Sequence, residues 1–550
     1  MKLSSILLVG IFVTTAVRIF LLFFQPLYLE ARPIELLYYA QSVFSINPET
    51  ASLFTKFGQN QGYLLLFVPL IFYKTISLFI NGILAFKIAQ AVILCLSVLI
   101  FFKISNLIST KYNMPQLFTP AALYFFLLSP WSLFVLTYDL PASLTLLFFM
   151  LSVYLIFMET KPIYLFLALL LLSFSSWPGL ITGIFIAFFT YYKHIISSRQ
   201  ILALSIILIL MLILNRNYIF NTFSNSFLKQ LTPSALGTQI NNRQRIDYLA
   251  VNQQFLLPGL LRKYIYNKPT YFANEIISKT ISYIDFDQWA SVLDSYALVS
   301  KSGLPPKGNW QIFYGWQIPL LLFGIYAITK RGVKLPLIVF LPIVSGILTY
   351  LLFEKRDIVT TQILALPVSI YMSVLGVIII LKKAVWKKKV IKLAGVTILI
   401  ILTTSSVVQT YLLFYPKISE HRYTHSYFYD RIAYSIKKYK NQYNSIIATD
   451  RLGPTFLTTA FYLQYPPRLF WHQYFSGDQK IDNVSFTSFQ LQRTSEKNIL
   501  YIGLQGEFQR EITELETSIN LPWFTLLENY QGWDNPVTDY GDHLWVANIK

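Results

Sequence analysis

Apolar residues gather into twelve runs over the first 414 positions, at roughly 4–24, 62–80, 84–102, 118–137, 140–158, 163–175, 180–192, 201–214, 312–329, 335–353, 358–381 and 393–414. Most are long enough to predict helices that cross a bilayer, which needs about 20 apolar residues. The runs at 163–175 and 180–192 are too short to span singly at 1.5 Å of rise per residue. Ser175-Ser176-Trp177-Pro178-Gly179 joins them with turn chemistry. The pair reads either as a tight helical hairpin or as a broken element lining a cavity.

After about position 416 the pattern changes. Alternating apolar positions predict strands at Tyr443 to Thr449, Asn498 to Gly503 and His543 to Ile549, and helical periodicity marks 430–440, 454–464 and 508–518. Such alternation predicts a small α/β domain over 417–550, behind a helical domain over 1–416. Two long polar stretches interrupt the helical part, at 25–61 and 215–311. The second, broken by Pro233, Pro258-Gly259 and Pro305-Pro306, has the size of a functional loop.

Composition sharpens the class. The chain is 55% hydrophobic and 13% charged, about half the charge of an ordinary soluble protein. The net charge of +19 lies mostly at the ends of apolar runs, the pattern of topology signals and lipid headgroup contacts, and no nucleic-acid module is visible. The expected fold is a polytopic α-helical membrane protein of about 11 spans with a small extracytoplasmic α/β C-terminal domain. Lys382-Lys383, Lys387-Lys388-Lys389 and Lys392 fix one cytoplasmic connection, and Lys330-Arg331-Lys334 and Lys193-His194-Arg199 agree with it. With a cytoplasmic N-terminus and an uncleaved first span, twelve crossings are one too many. The run at 62–80, interrupted by Pro69 and Lys74, is therefore expected to lie in the interface or re-enter. Both loops and the tail then face outward. The lone Cys95 says nothing of the redox compartment.

Charged residues beside the spans are the candidates for chemistry. Glu35 stands in a segment that reads as an amphipathic interfacial helix, Ile34-Leu37-Tyr38-Gln41, with Arg32 three residues earlier as an ion-pair partner or phosphate contact. The plain alternative for Glu35 is an exposed surface glutamate. Asp139, in Tyr138-Asp139-Leu140-Pro141, reads as the N-cap of the following span, alone or as a cap that also serves a site. Lys355 and Arg356, within Glu354-Lys355-Arg356-Asp357, read either as snorkelling anchors or as ligands for a lipid-linked phosphate, which a guanidinium meets bidentately. Arg18 and Lys74 are the main charges inside apolar runs. His421 and His425 have helical metal-pair spacing without a matching carboxylate motif, so no divalent metal is expected, and no P-loop is present.

An N-terminal span followed by Glu35-Leu36-Leu37-Tyr38-Tyr39 resembles the GT-C superfamily of membrane glycosyltransferases, which use polyprenyl-phosphate sugars and include protein O-mannosyltransferases and the lipid A aminoarabinose transferase. "TYDLPASLTLLFF" resembles the family's second external carboxylate at the start of a span. "EKRDIVTTQILALP" resembles the basic residues and proline that open a late span, and "TDRLGPTFLTTAFYLQYPPRLFW" resembles the external domains of many bacterial members. Where the family often has Asp-Glu, this chain has Ile34-Glu35, so either Glu35 takes the base role or the chain is a degenerate relative.

The resemblance implies transfer of a sugar from a lipid-phosphate donor to a hydroxyl of a protein, lipid or glycan. Glu35 and Asp139 would be its catalytic carboxylates. Tyr38, Tyr39, Arg32, Lys355 and Arg356 would be substrate contacts, with no cofactor. Partners would be the lipid-linked donor, membrane lipids and an acceptor the sequence does not identify. The alternatives are a transporter or flippase, or a polymerase or ligase, acting on lipid-linked glycans.

Overall fold

The computed structural model describes residues 3–24, 31–61, 63–80, 82–129, 139–214, 317–331, 335–353, 363–382, 426–452, 454–487, 499–509, 524–531 and 543–549, with isolated positions between them. They form a mostly helical body followed by a unit built on one small sheet.

In chain order the body comprises α1 (Leu3–Phe24), α2 (Ala31–Ser42), α3 (Pro48–Gln61), a 3-10 turn (Tyr63–Leu66), α4 (Phe67–Ser77), α5 (Gly82–Lys111), α6 (Phe118–Leu128), α7 (Leu140–Phe157), α8 (Pro162–Ser173), α9 (Trp177–Tyr192), α10 (Ser198–Leu214), α11 (Gln317–Arg331), α12 (Leu341–Phe353) and α13 (Leu366–Lys382). Among the described residues, two helices are long and apolar enough to cross a membrane, Gly82–Lys111 and Leu140–Phe157. Nine further apolar stretches of helix are shorter. Helix length alone therefore does not carry the expected 11 spans.

Local chemistry explains several differences from the expected boundaries. The first helix of the run at 118–137 ends at Leu128, because Ser129 turns to an extended conformation ahead of Pro130, a position where proline disfavours helical backbone. The run at 62–80 yields only an 11-residue helix, about 17 Å long, with Pro69 tolerated in its first turn. Runs 163–175 and 180–192 form the helical hairpin: Ser176 caps α9 by accepting from the Gly179 amide at 3.0 Å, with Pro178 in the first turn. The run at 393–414 and nearly all of 215–311 lie outside the described residues.

Contacts at the helix ends give the body two poles. Lys111 Nζ lies 5.7 Å from the centre of the Phe157 ring, so α5 and α7 finish together. At the other pole the Tyr73 hydroxyl donates to Gly82 O at 3.1 Å, joining α4 to the start of α5, where Gly82 adopts φ +63°. The Val68 amide donates to Phe174 O at 3.2 Å, and Thr145 Oγ1 meets the Ser175 and Ser176 hydroxyls at 2.8 Å. The α8–α9 turn thus shares the pole of α4 and the start of α7. Inside the body, Tyr371 stacks between Phe101 and Phe118 at 5.3 and 5.6 Å, and its hydroxyl pairs with Ser105 at 3.1 Å.

The final unit holds α14 (Ser426–Tyr439), β1 (Ser445–Ala448), α15 (Thr455–Leu463), α16 (Pro467–Ser476), β2 (Lys480–Ile481), β3 (Val484–Phe486), β4 (Ile499–Leu504), β5 (Phe524–Gln531) and β6 (His543–Ile549). The strand order is β2-β3-β1-β4-β6-β5. β1 is parallel to β3 and β4, and the other pairings are antiparallel. Three expected strands are present. The expected helix at 508–518 lies mostly outside the described residues, and α16, β2, β3 and β5 went unpredicted.

α11 and α13 cross at backbone contact. A methyl group on Gly324 would stand 1.9 Å from Met372 O, and one on Gly376 would stand 2.0 Å from Leu320 O. Small residues at such crossings let two helices pack at the shortest separation. Gly324→Ala and Gly376→Ala are each expected to lower the thermal midpoint, by an overpacking cost of about 1–3 kcal/mol. Gly10→Ala, whose methyl would meet only the Tyr124 ring at 3.3 Å, should cost less. Thermal unfolding of the three purified variants checks the order.

Candidate functional site

The candidate site is built around α2. Its sequence, ARPIELLYYAQS, places apolar residues on almost every side. Ile34, Leu36, Leu37, Tyr38, Tyr39 and Ala40 are all buried, and Glu35 is half-buried. An interfacial helix with one wet face was expected, but α2 is wrapped from two directions. α4 covers one side, where Gln41 Nε2 donates to the Tyr73 hydroxyl at 3.1 Å and Lys74 Nζ donates to Gln41 O. α15 and α16 of the final unit cover another.

That second contact is aromatic. Tyr38 meets Phe470 edge-on at 4.9 Å, Tyr39 stacks on Phe54 at 4.2 Å, and Trp471 packs against Phe54, Phe57 and Phe470 at 5.0–5.3 Å. Trp471 is fully buried, and its Nε1 finds no partner among the described residues. The Tyr38 hydroxyl donates to Tyr465 O at 2.6 Å. Burial pushes the Tyr38 and Tyr39 hydroxyls far above their usual value, with the Tyr465 hydroxyl adding to the shift at Tyr38, so both remain protonated. A methyl on Gly58 would overlap the Tyr39 hydroxyl, which is why α3 carries glycine there. Tyr38 and Tyr39, expected as substrate contacts, are packed away from solvent and fasten α2 in place.

Glu35 precedes these tyrosines by three and four residues and so shares their face of the helix. Its charge reaches Tyr474 of α16: burial raises the Tyr474 hydroxyl first, and Glu35 raises it further. Arg32 occupies the first turn of α2. Asp139 is the N-cap of α7, its carboxylate accepting from the Ala142 amide at 2.8 Å, with Pro141 in the first turn. Glu35 and Asp139 stand on elements that both pack on α4, at the pole opposite Lys111 and Phe157. Lys355 and Arg356 lie outside the described residues, as do His421 and His425.

Arg18 also belongs to this end of the body. It sits about 9 Å before the end of α1 and is 3% exposed. Its guanidinium donates to Leu127 O at 3.2 Å, Ser132 Oγ at 2.7 Å and Ser132 O at 2.6 Å, tying down the connection that leads to Asp139. A lone arginine in an apolar run was its only sequence signal. The α16 cluster had a clearer one: Phe470, Trp471, Tyr474 and Phe475 fall at i, i+1, i+4 and i+5, on one helical face. Among the described residues no three His, Cys, Asp or Glu side chains gather as metal ligands.

Comparison with protein-family models, with curated proteins and with solved structures found no match.

Two carboxylates of the final unit have opposite electrostatics. At Glu528, burial acts to raise the carboxyl, but donation from Lys438, Tyr530, Tyr439 and Ser435 outweighs it and holds the group below the usual carboxylate range. At Glu507, burial wins over donation from the Leu504 amide and Thr449 and over the nearby Arg451, so the group is raised. Glu528 therefore contributes stability that is present above the unfolded-state value and lost as pH falls through its folded value. The Glu507 contribution is complete below the unfolded-state value and is lost as pH rises through its folded value. Thermal unfolding across the carboxylate range should show Glu528→Gln flattening the acid-side loss of stability. Glu507→Gln should instead lessen the decline on the rising side. A common direction of change in both variants would contradict these assignments.

Proposed function

We propose that this chain is a polytopic membrane glycosyltransferase that moves a sugar from a polyprenyl-phosphate donor to an acceptor hydroxyl on the extracytoplasmic face. The observation that carries the reading is the packing of α2 and α7 on the same short helix, α4, which gathers Glu35 and Asp139 at one pole. Three lysines, Lys111, Lys161 and Lys193, cap helix ends or turns that belong to the opposite pole, the distribution expected of a cytoplasmic face.

In this reading the acceptor O–H gives its proton to Glu35 as its oxygen attacks the anomeric carbon. The bond from that carbon to the phosphate oxygen breaks, the polyprenyl phosphate leaves with the electron pair, and the anomeric centre inverts. Arg32, Lys355 and Arg356 would meet the phosphate and stabilise the charge growing on it. Asp139 would orient the acceptor from the start of α7, where its backbone is held by the helix it caps. Arg18 fixes the connection before it. Tyr38 and Tyr39 set the position of α2 in this scheme and do not touch the donor.

The test is transfer of labelled sugar from polyprenyl-phosphate donors in membranes. Glu35→Gln is expected to reduce the rate by roughly 100-fold or more, the usual scale of a general base. Asp139→Asn separates the two readings of that residue, because asparagine caps a helix as well as aspartate does. Loss of transfer with unchanged thermal stability assigns Asp139 to the site, whereas an unaltered rate leaves it a cap. Full transfer by both variants would overturn the site assignment.

A further inference from the structure

We propose that the C-terminal unit has a binding crevice of its own for a neutral saccharide, at the carboxyl ends of β1 and β4, where Thr449, Asp450, Arg451 and Glu507 meet. The inference goes beyond the transferase reading and does not rest on it.

The winding of the sheet points to this place. β1 has a parallel neighbour on each side, β3 and β4. Ala448, Ile502 and Phe486 share one face of the sheet, and Phe456 of α15, the helix that follows β1, packs on Phe486 at 5.4 Å. Tyr501, Trp545 and Ala547 share the opposite face. Phe508, in the helical residues 505–509 that follow β4, packs on that face, its ring 5.8 Å from Trp545. The chain therefore leaves β1 over one face and β4 over the other. Where two adjacent parallel strands part in this way, an α/β sheet opens a crevice at their carboxyl ends, and ligands bind there.

The residues at the mouth have the chemistry of a site. Buried Glu507 bridges the two strands: Thr449 Oγ1 donates to its Oε1 and the Leu504 amide to its Oε2, both at 2.9 Å. Arg451 Nε stands 3.4 Å from Glu507 Oε1, its side chain 42% exposed, beside half-buried Asp450. Gly506 borders open space, since a methyl group there would meet no atom within 4 Å. Charge then selects the ligand. An anion would face Asp450 and Glu507. A cation would face Arg451 and the amide end of α15, where Pro454 offers no side-chain acceptor. A sugar hydroxyl both donates and accepts, so neighbouring hydroxyls of one ring can satisfy Asp450 and Arg451 together.

The experiment uses the full-length protein in a detergent without a sugar headgroup. Saturation-transfer NMR follows the methyl glycosides of glucose, galactose and mannose, with the wild type and with Asp450→Ala, Gly506→Leu and Glu35→Gln. Gly506→Leu fills the open mouth, and its backbone lies outside the left-handed region, so its thermal midpoint should stay at the wild-type value. The inference expects saturation of at least one glycoside, reduced several-fold by Asp450→Ala and by Gly506→Leu and unaltered in Glu35→Gln. Saturation of none by the wild type overturns it. A signal that survives both Asp450→Ala and Gly506→Leu, or one lost with Glu35→Gln, puts sugar binding elsewhere and also overturns it. Displacement of the glycoside by inorganic phosphate would mark an anion site and overturn the saccharide class.

Discussion

The burial of Trp471 against α2 and α3 is the contact on which the rest of the molecule depends. A short helix such as α2 does not hold its shape alone in water, and α2 has little polar surface to offer solvent. It acquires a defined position because α4 grips one side through Lys74, Gln41 and Tyr73, and because the aromatic face of α16 closes over another. Edge-on and stacked aromatic pairs each add about 0.5–1.5 kcal/mol beyond the area they bury. The cluster also carries a cost in the Trp471 Nε1, which has no partner among the described residues. Such a cost is tolerated where the ring itself is worth more than its one donor.

The helical body uses a different device. Its close contacts are made by small side chains: Gly324 and Gly376 between α11 and α13, Gly179 and Gly183 between α8 and α9, and the hydroxyl pairs Thr145–Ser175 and Thr182–Ser345. Small residues let the helix backbones approach closely, and the hydroxyl pairs add hydrogen bonds between them. Arg18 is a buried charge in the same body. Its charge is compensated by backbone and serine oxygens at the connection it restrains.

Much of this was legible in the sequence, and the misses have physical reasons. Apolar runs located nearly every helix of the body, and Asp139 announced its cap through the proline two residues on. Run length overstated helix length wherever a proline intervened, as at Pro130. The hairpin of α8 and α9 could be read from Ser176 and Pro178. The wrapping of α2 could not, because the residues that cover it lie far away in the chain. Tyr38 and Tyr39 looked like substrate contacts since aromatic residues beside a carboxylate serve packing and recognition equally well. β5 escaped notice because a bulge between Leu526 and Glu528 interrupts its alternation. β2 and β3 are too short to carry a pattern.

The hydrogen bond from Tyr38 to Tyr465 spans 427 residues of chain. During synthesis at about 5–20 residues per second, roughly 20 to 90 s separate the appearance of its two partners. Throughout that interval α2 exists with one of its covers still unmade. A segment translated late therefore closes over one translated early, and a ribosome that stops before α15 and α16 leaves α2 held by α3 and α4 alone. A chain that stops before those helices carries Glu35 on a helix with one side uncovered.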